Sequence, residues 1–190
     1  PADDRLQDTW TQLDFDDTGW LEGQGAVGFD SRSEFDIDLN IETQMRRVNA
    51  TAYLRFPFHT DDLVDQTVLK LGVRYDDGFV AHLNGHELAS SNARATPPWN
   101  SNSILSVELS ESFEEFDLSD ALHLLRPGKN VLAIQLLNES RTNANAFLLP
   151  RLQLGTLAST GAVPQAIRYD GPIDNIRDQN LRARTLYRDS

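Results

Sequence analysis

Cysteine is absent from this 190-residue chain. No disulfide, thiolate metal site or cysteine nucleophile is therefore available to it. A domain of this length buries enough surface to hold together without staples, so the absence does not fix a redox compartment. Lysine is nearly absent as well: Lys70 and Lys129 are the only two among 17 basic residues, against 29 acidic ones. The formal charge of −12 argues against a nucleic-acid backbone or an anionic membrane as partner, because both repel an acidic surface. Neutral glycans, cations and basic surfaces stay open. No apolar run approaches the roughly 20 residues of a membrane-spanning helix, which excludes insertion by that route. The sequence also lacks an HExxH pair, a nucleophile elbow around serine and a glycine-rich phosphate loop.

Strand signals fill the space that long helical periodicity leaves empty. ATAYLRFPF (50–58) alternates, with Tyr53, Arg55 and Pro57 on one face and Ala52, Leu54, Phe56 and Phe58 on the other. QTVLKLGVRY (66–75) does the same, setting Leu69, Leu71 and Val73 against Val68, Lys70 and Gly72. NVLAIQLLN (130–138) and AFLLPRLQL (146–154) complete four strong strands, and Pro150 predicts an edge position or a bulge in the last. Helical signals are short. DLSDALHLL (117–125) has Asp117 as an N-cap candidate and stops at Pro127-Gly128, and 37–47 has room for a turn or two. With 39% hydrophobic residues, including 9 Phe, 4 Tyr and 3 Trp, the chain has material for a real core. The pattern predicts an all-β sandwich with one or two short helices rather than a βαβ fold.

The chain changes character near its end. LASTG, a run of small residues, precedes a segment in which five Arg face four Asp from Pro164 onward. A boundary is placed there, with one domain over 1–158 and a linker with the beginning of something else over 159–190. The chain opens on Pro1 rather than Met, which reads as the start of a mature or excised piece of a longer protein.

Four stretches invite a chemical reading. YDDGFVAHLNGHELA (75–89) places Asp76 and Asp77 before a glycine and then a hairpin turn at Asn84-Gly85. Turn formation explains both aspartates, since Asp bonds nearby backbone and Gly supplies positive φ. The competing reading is that they donate oxygens to calcium or to sugar hydroxyls. Calcium takes 6–8 oxygens, so other loops would have to contribute. The loop SSNARATPPWNSNS (90–103) is long, polar and aperiodic, and it carries Trp99 behind two prolines. A ring exposed among amides suits a sugar, stacking on its C–H face while polar groups bond its hydroxyls. Trp99 would be the platform, with Asn92, Arg94, Asn100 and Asn102 beside it; the bland alternative folds the ring back onto the sandwich. VELSESFEEFDLSD (107–120) holds six acids and no base, which reads as a solvated face rather than a glycosidase pair. His82 and His86 flank the Asn-Gly turn, but two histidines without a third ligand make a weak zinc site.

Taken in order, WTQLDFDDTGWLEGQGAVGFD, YLRFPF, YDDGFVAHLNGHELA, FDLSDALHLLRPGKNVLAIQLLN and FLLPRLQL resemble the galactose-binding-like jelly-roll domains of large secreted multidomain bacterial proteins. The resemblance covers roughly residues 10–155. The tail RYDGPIDNIRDQNLRARTL resembles the start of a fibronectin-type-III-associated module. The resemblance implies a noncatalytic, extracellular β-sandwich whose ligand loops lie at one end or on a sheet face, with a structural calcium frequent. It points to Glu22, in EGQG near the N-terminal loop, as a first metal ligand, beside Asp76 and Asp77. It implies a polysaccharide or glycan and neighbouring modules of the same chain as partners. Similar domains also serve as spacers that bind no sugar, so resemblance settles the fold class and leaves the activity open.

Overall fold

Alternating side chains need two environments, and the fold supplies both. The computed structural model describes residues 3–61 and 63–156 together with strand 182–185, the last as backbone only. The expected boundary after residue 158 falls outside the described residues. Eleven strands are described: β1 (Leu21–Gln24), β2 (Val27–Asp30), β3 (Leu39–Asn40), β4 (Thr51–Thr60), β5 (Val68–Asp76), β6 (Gly78–Leu83), β7 (His86–Ser91), β8 (Glu114–Asp117), β9 (Gly128–Leu137), β10 (Asn145–Gly155) and β11 (Arg182–Thr185). They form a six-stranded sheet in the order β1-β11-β4-β9-β6-β7 and a five-stranded sheet in the order β3-β2-β10-β5-β8. The architecture is the expected all-β sandwich. The tail strand β11 pairs with both β1 and β4 inside the first sheet.

The main core lies between the sheets. Leu54 and Phe56 from β4, Leu69 and Leu71 from β5, Phe79 from β6 and Ile134 and Leu136 from β9 are all fully buried there. Each such side chain contributes on the order of 1.5–3 kcal/mol on leaving water. All four predicted strands form, with ends shifted by a few residues. Pro150 sits where β10 still pairs with β5 but has passed the end of its pairing with β2 at Leu148. Its missing N–H therefore costs no ladder bond on that open side.

The helices are short: α1 (Glu42–Met45) and 3-10 segments at Thr9–Thr11 and Ser119–Leu124. Asp117 stands two residues before the last of these and accepts from the backbone N–H and hydroxyl of Ser119, at 3.0 and 2.6 Å. The hairpin at Asn84-Gly85 forms as expected, with both residues at positive φ (+49° and +93°). Asn84 also accepts from the Val131 N–H and donates to Leu124 O and Asn130 Oδ1, fixing the turn to β9.

Candidate functional site

A second, smaller core lies outside the six-stranded sheet, and it explains the odd face of β4. Tyr53 and Arg55 point away from the main core yet are only 4% and 3% exposed. The N-terminal segment covers them. Trp10 stacks on Tyr53 with ring centroids 4.1 Å apart and planes 5° from parallel. Arg55 holds that segment down: its guanidinium donates to Trp10 O and Gln12 O, pairs with Asp17 at 3.0 Å, and lies 5.2 Å over the Phe15 ring. A buried arginine is tolerable only because carbonyls and a carboxylate meet its donors. Trp20 joins the cluster edge-on to Phe15.

Between this cover and the loop after β7 lies an open depression of about 500 Å³. Trp99 is half-buried, packs against the Trp10–Tyr53 cluster and forms one wall. Asp4, Asp8 and Glu87 stand exposed around the rim, and among the described residues no Lys or Arg lines it. Among the described residues none of the three has an ion-pair partner. His82 lies on the floor, edge-on to Trp10 at 5.9 Å. Burial holds its imidazole below the ordinary 6.5, with the Asp8 carboxylate and a backbone contact at Ala133 pulling the other way. Burial first, and then Asp8, pushes the Tyr53 phenol up. Gln135 donates to Pro98 O at 3.1 Å and so ties the loop to the sheet.

The amides expected beside Trp99 have other partners. Asn92 donates to Asp77 O and Leu105 O and accepts from the Leu105 N–H, which locks a residue at φ +52°. Asn100 accepts from the Ala50 N–H at 2.9 Å, and Asn102 donates to Glu139 O at 2.6 Å. Arg94 is exposed and lines a separate surface hollow with Asn100 and Asn102, away from the Trp99 depression. The loop's amides are thus bonded to neighbouring segments, and Trp99 alone of the expected set lines the depression. Trp10, Tyr53, Asp8 and Glu87 are not among the expected site residues, and His82 enters only as half of a weak zinc pair. The available signal was Tyr53 and Arg55 on the nominally polar face of an alternating strand, a hint that something covers that face.

The aspartate pair at the β5–β6 junction is buried, at 3% and 1% exposure, and the peptide between the two residues is cis. Asp77 is not the local turn former that its position predicts. Its carboxylate accepts from the backbone N–H groups of Val107 and Glu139, both at 2.7 Å, and from Asn143 at 3.4 Å, tying three loops together. Asp76 accepts from Asn145 at 3.3 Å through one oxygen, while the other is buried without a partner among the described residues. Burial, then repulsion by Asp77 and by Asp30, Glu108 and Glu139, pushes its carboxyl up to about 7. Burial also raises Asp77, opposed by the two backbone N–H bonds. Glu22 is exposed on β1, in the other sheet's edge region. Among the described residues no three His, Cys, Asp or Glu side chains are gathered to hold a metal ion. Glu22 stands on the six-stranded sheet and Asp76 ends β5 of the five-stranded one. His82 and His86 also diverge, the first into the depression and the second exposed at the start of β7.

The sequence matches no protein-family model and no curated protein. Among solved structures the chain is similar to the native α-L-rhamnosidase of Aspergillus terreus, with 14% identity and a TM-score of 0.39. The match covers 84% of this chain and 16% of the rhamnosidase, so this chain spans a small part of that protein's length. Among the described residues no helix is long and apolar enough to cross a membrane.

Proposed function

We propose that this chain is a noncatalytic carbohydrate-binding module of the galactose-binding-like kind, an accessory part of a larger secreted protein. The observation that carries the reading is the depression, where a half-exposed tryptophan borders a cavity rimmed by exposed carboxylates. Its volume falls in the range of about 300–1,000 Å³ typical of ligand sites. A sugar would stack its C–H face on Trp99 while Asp4, Asp8, Glu87 and Gln7 accept from or donate to its hydroxyls. No step of this reading runs through a metal. Calorimetry against a panel of soluble oligosaccharides is the test, comparing the native chain with Trp99→Ala. Binding that Trp99→Ala reduces at least about tenfold supports the reading. No heat with any glycan ends it.

A second reading, a spacer that packs against neighbouring modules, has its own observation. The loop amides bond inward, and Ile104 and Leu105 stand next to each other at 58% and 65% exposure. Adjacent exposed aliphatics offer a neighbour something to cover. Sugar binding in solution, with Ile104→Ser and Leu105→Ser having no effect on stability in the full-length parent protein, rejects the spacer.

A further inference from the structure

The depression is one-signed as well as aromatic, and that combination narrows what it can hold. Asp4, Asp8 and Glu87 line it, and among the described residues no Lys or Arg does so and none of these carboxylates has an ion-pair partner. Asp8 comes close enough to act on both Tyr53 and His82 at the floor. Burial of His82 at the floor disfavours its charged form, against the pull of Asp8. Trp99 presents a ring at the wall, with Trp10 and Tyr53 packed behind it.

Aromatic faces attract cations through the ring quadrupole, with tryptophan the strongest of the three rings. Carboxylates beside such a face add a direct Coulombic attraction. A neutral glycan would offer these carboxylates hydroxyl donors but no opposite charge. Gln7 and Thr96 also line the depression, placing neutral hydrogen-bonding groups beside the acids, which fits a ligand with hydroxyls as well as charge. Resting on the carbohydrate reading above, we infer that the depression selects glycans bearing protonated amines, of the 2-amino-2-deoxyhexose class, over neutral glycans of equal length.

The test compares three hexamers by calorimetry at pH 6: de-N-acetylated chitin oligosaccharide, its N-acetylated counterpart and cellohexaose. An oligolysine of similar charge is the fourth ligand, because a chain of net charge −12 attracts any polycation to some degree. The expected result is at least about tenfold tighter binding of the amino-sugar hexamer than of either neutral one. Asp8→Asn and Glu87→Gln, both exposed positions, should each weaken it about threefold or more, and Trp99→Ala should weaken it further. Glu111→Gln removes the same charge from an exposed residue outside the lining of the depression and should leave it unchanged.

Equal affinity for all three hexamers overturns the selectivity and leaves the carbohydrate reading standing. Retention of none of them overturns both. If oligolysine binds as tightly as the amino sugar and responds equally to Asp8→Asn, the site is one for basic peptides and the inference fails. If Glu111→Gln weakens binding as much as Asp8→Asn, the attraction is the general field of the protein, which also overturns it. A Trp99→Ala chain that fails to fold leaves the two exposed carboxylate variants to decide.

Discussion

Two acid-rich regions of this molecule look alike in sequence and behave in opposite ways in the fold. At the β5–β6 junction, Asp76 and Asp77 are buried and linked to segments up to 69 residues away in the chain. Around the Trp99 depression, Asp4, Asp8 and Glu87 are exposed and, among the described residues, without ion-pair partners. Water decides the difference. A carboxylate taken out of water must be met by donors or give up its charge. One left in water keeps its charge and its freedom to meet a ligand. The conspicuous pair is therefore held by the fold, and the inconspicuous acids stay in water around the depression.

The sharpest way to break this comparison is to remove the Asp77 carboxylate. Asp77→Ala strands the Val107 and Glu139 N–H groups, each costing about 1–3 kcal/mol when left unbonded. A loss of about 4 kcal/mol in chemical denaturation is expected. A loss under about 1 kcal/mol would mean that the carboxylate is as dispensable as a rim acid. Next is Arg55→Ala, which removes the clamp from Trp10, Gln12 and Asp17. It should cost about 3 kcal/mol and loosen the wall of the depression, so near-ultraviolet dichroism from the stacked Trp10–Tyr53 pair should fall with it.

Much of the fold was legible and much of the site was not. The alternation in 50–58 and 66–75 placed Leu54, Phe56, Leu69 and Leu71 in the core because a period of two has only two faces to assign. The Asn84-Gly85 turn was legible because φ > 0 at both positions restricts the residue choice so strongly. The site resisted for the opposite reason. Trp10, Tyr53, His82 and Trp99 come from an irregular N-terminal segment, two strands and a long loop, and no local rule says that these meet. Asp77 misled because its short-range explanation was sufficient, while its actual partners lie 30 and 62 residues away. Asn92 and Asn100 misled likewise: polarity identifies a side chain that needs a partner without saying whether that partner is backbone or ligand.

The buried pair should also leave a mark on the pH profile that the rim acids cannot. Asp76 stands at about 7 in the folded chain against 3.8 unfolded, through burial first and then its acidic neighbours. A raised carboxyl stabilises the fold fully below 3.8, and that contribution is lost as pH rises through about 7. Asp76→Asn removes the titration and relieves repulsion on Asp77. Its stability relative to the native chain should therefore climb between pH 4 and pH 8, by about 2 kcal/mol and at most about 4. Urea denaturation at four pH values across that window measures it. A difference that stays flat would place Asp76 in water-like surroundings and erase its distinction from the rim.

The smallest expected effect is the most informative about the depression. Asp8→Asn and Glu87→Gln alter exposed side chains with no ion-pair partner among the described residues. Stability should move by no more than about 0.5 kcal/mol in either direction. Replacing both together should stabilise slightly at low ionic strength, since three like charges around one hollow repel one another, and added salt should remove that gain. A loss above about 1 kcal/mol would show that these acids hold the fold, as Asp77 does, and that they are not held ready for a ligand. Stability data alone thus separate the two kinds of acid, because carboxylates that the fold does not use can be neutralised without unfolding it.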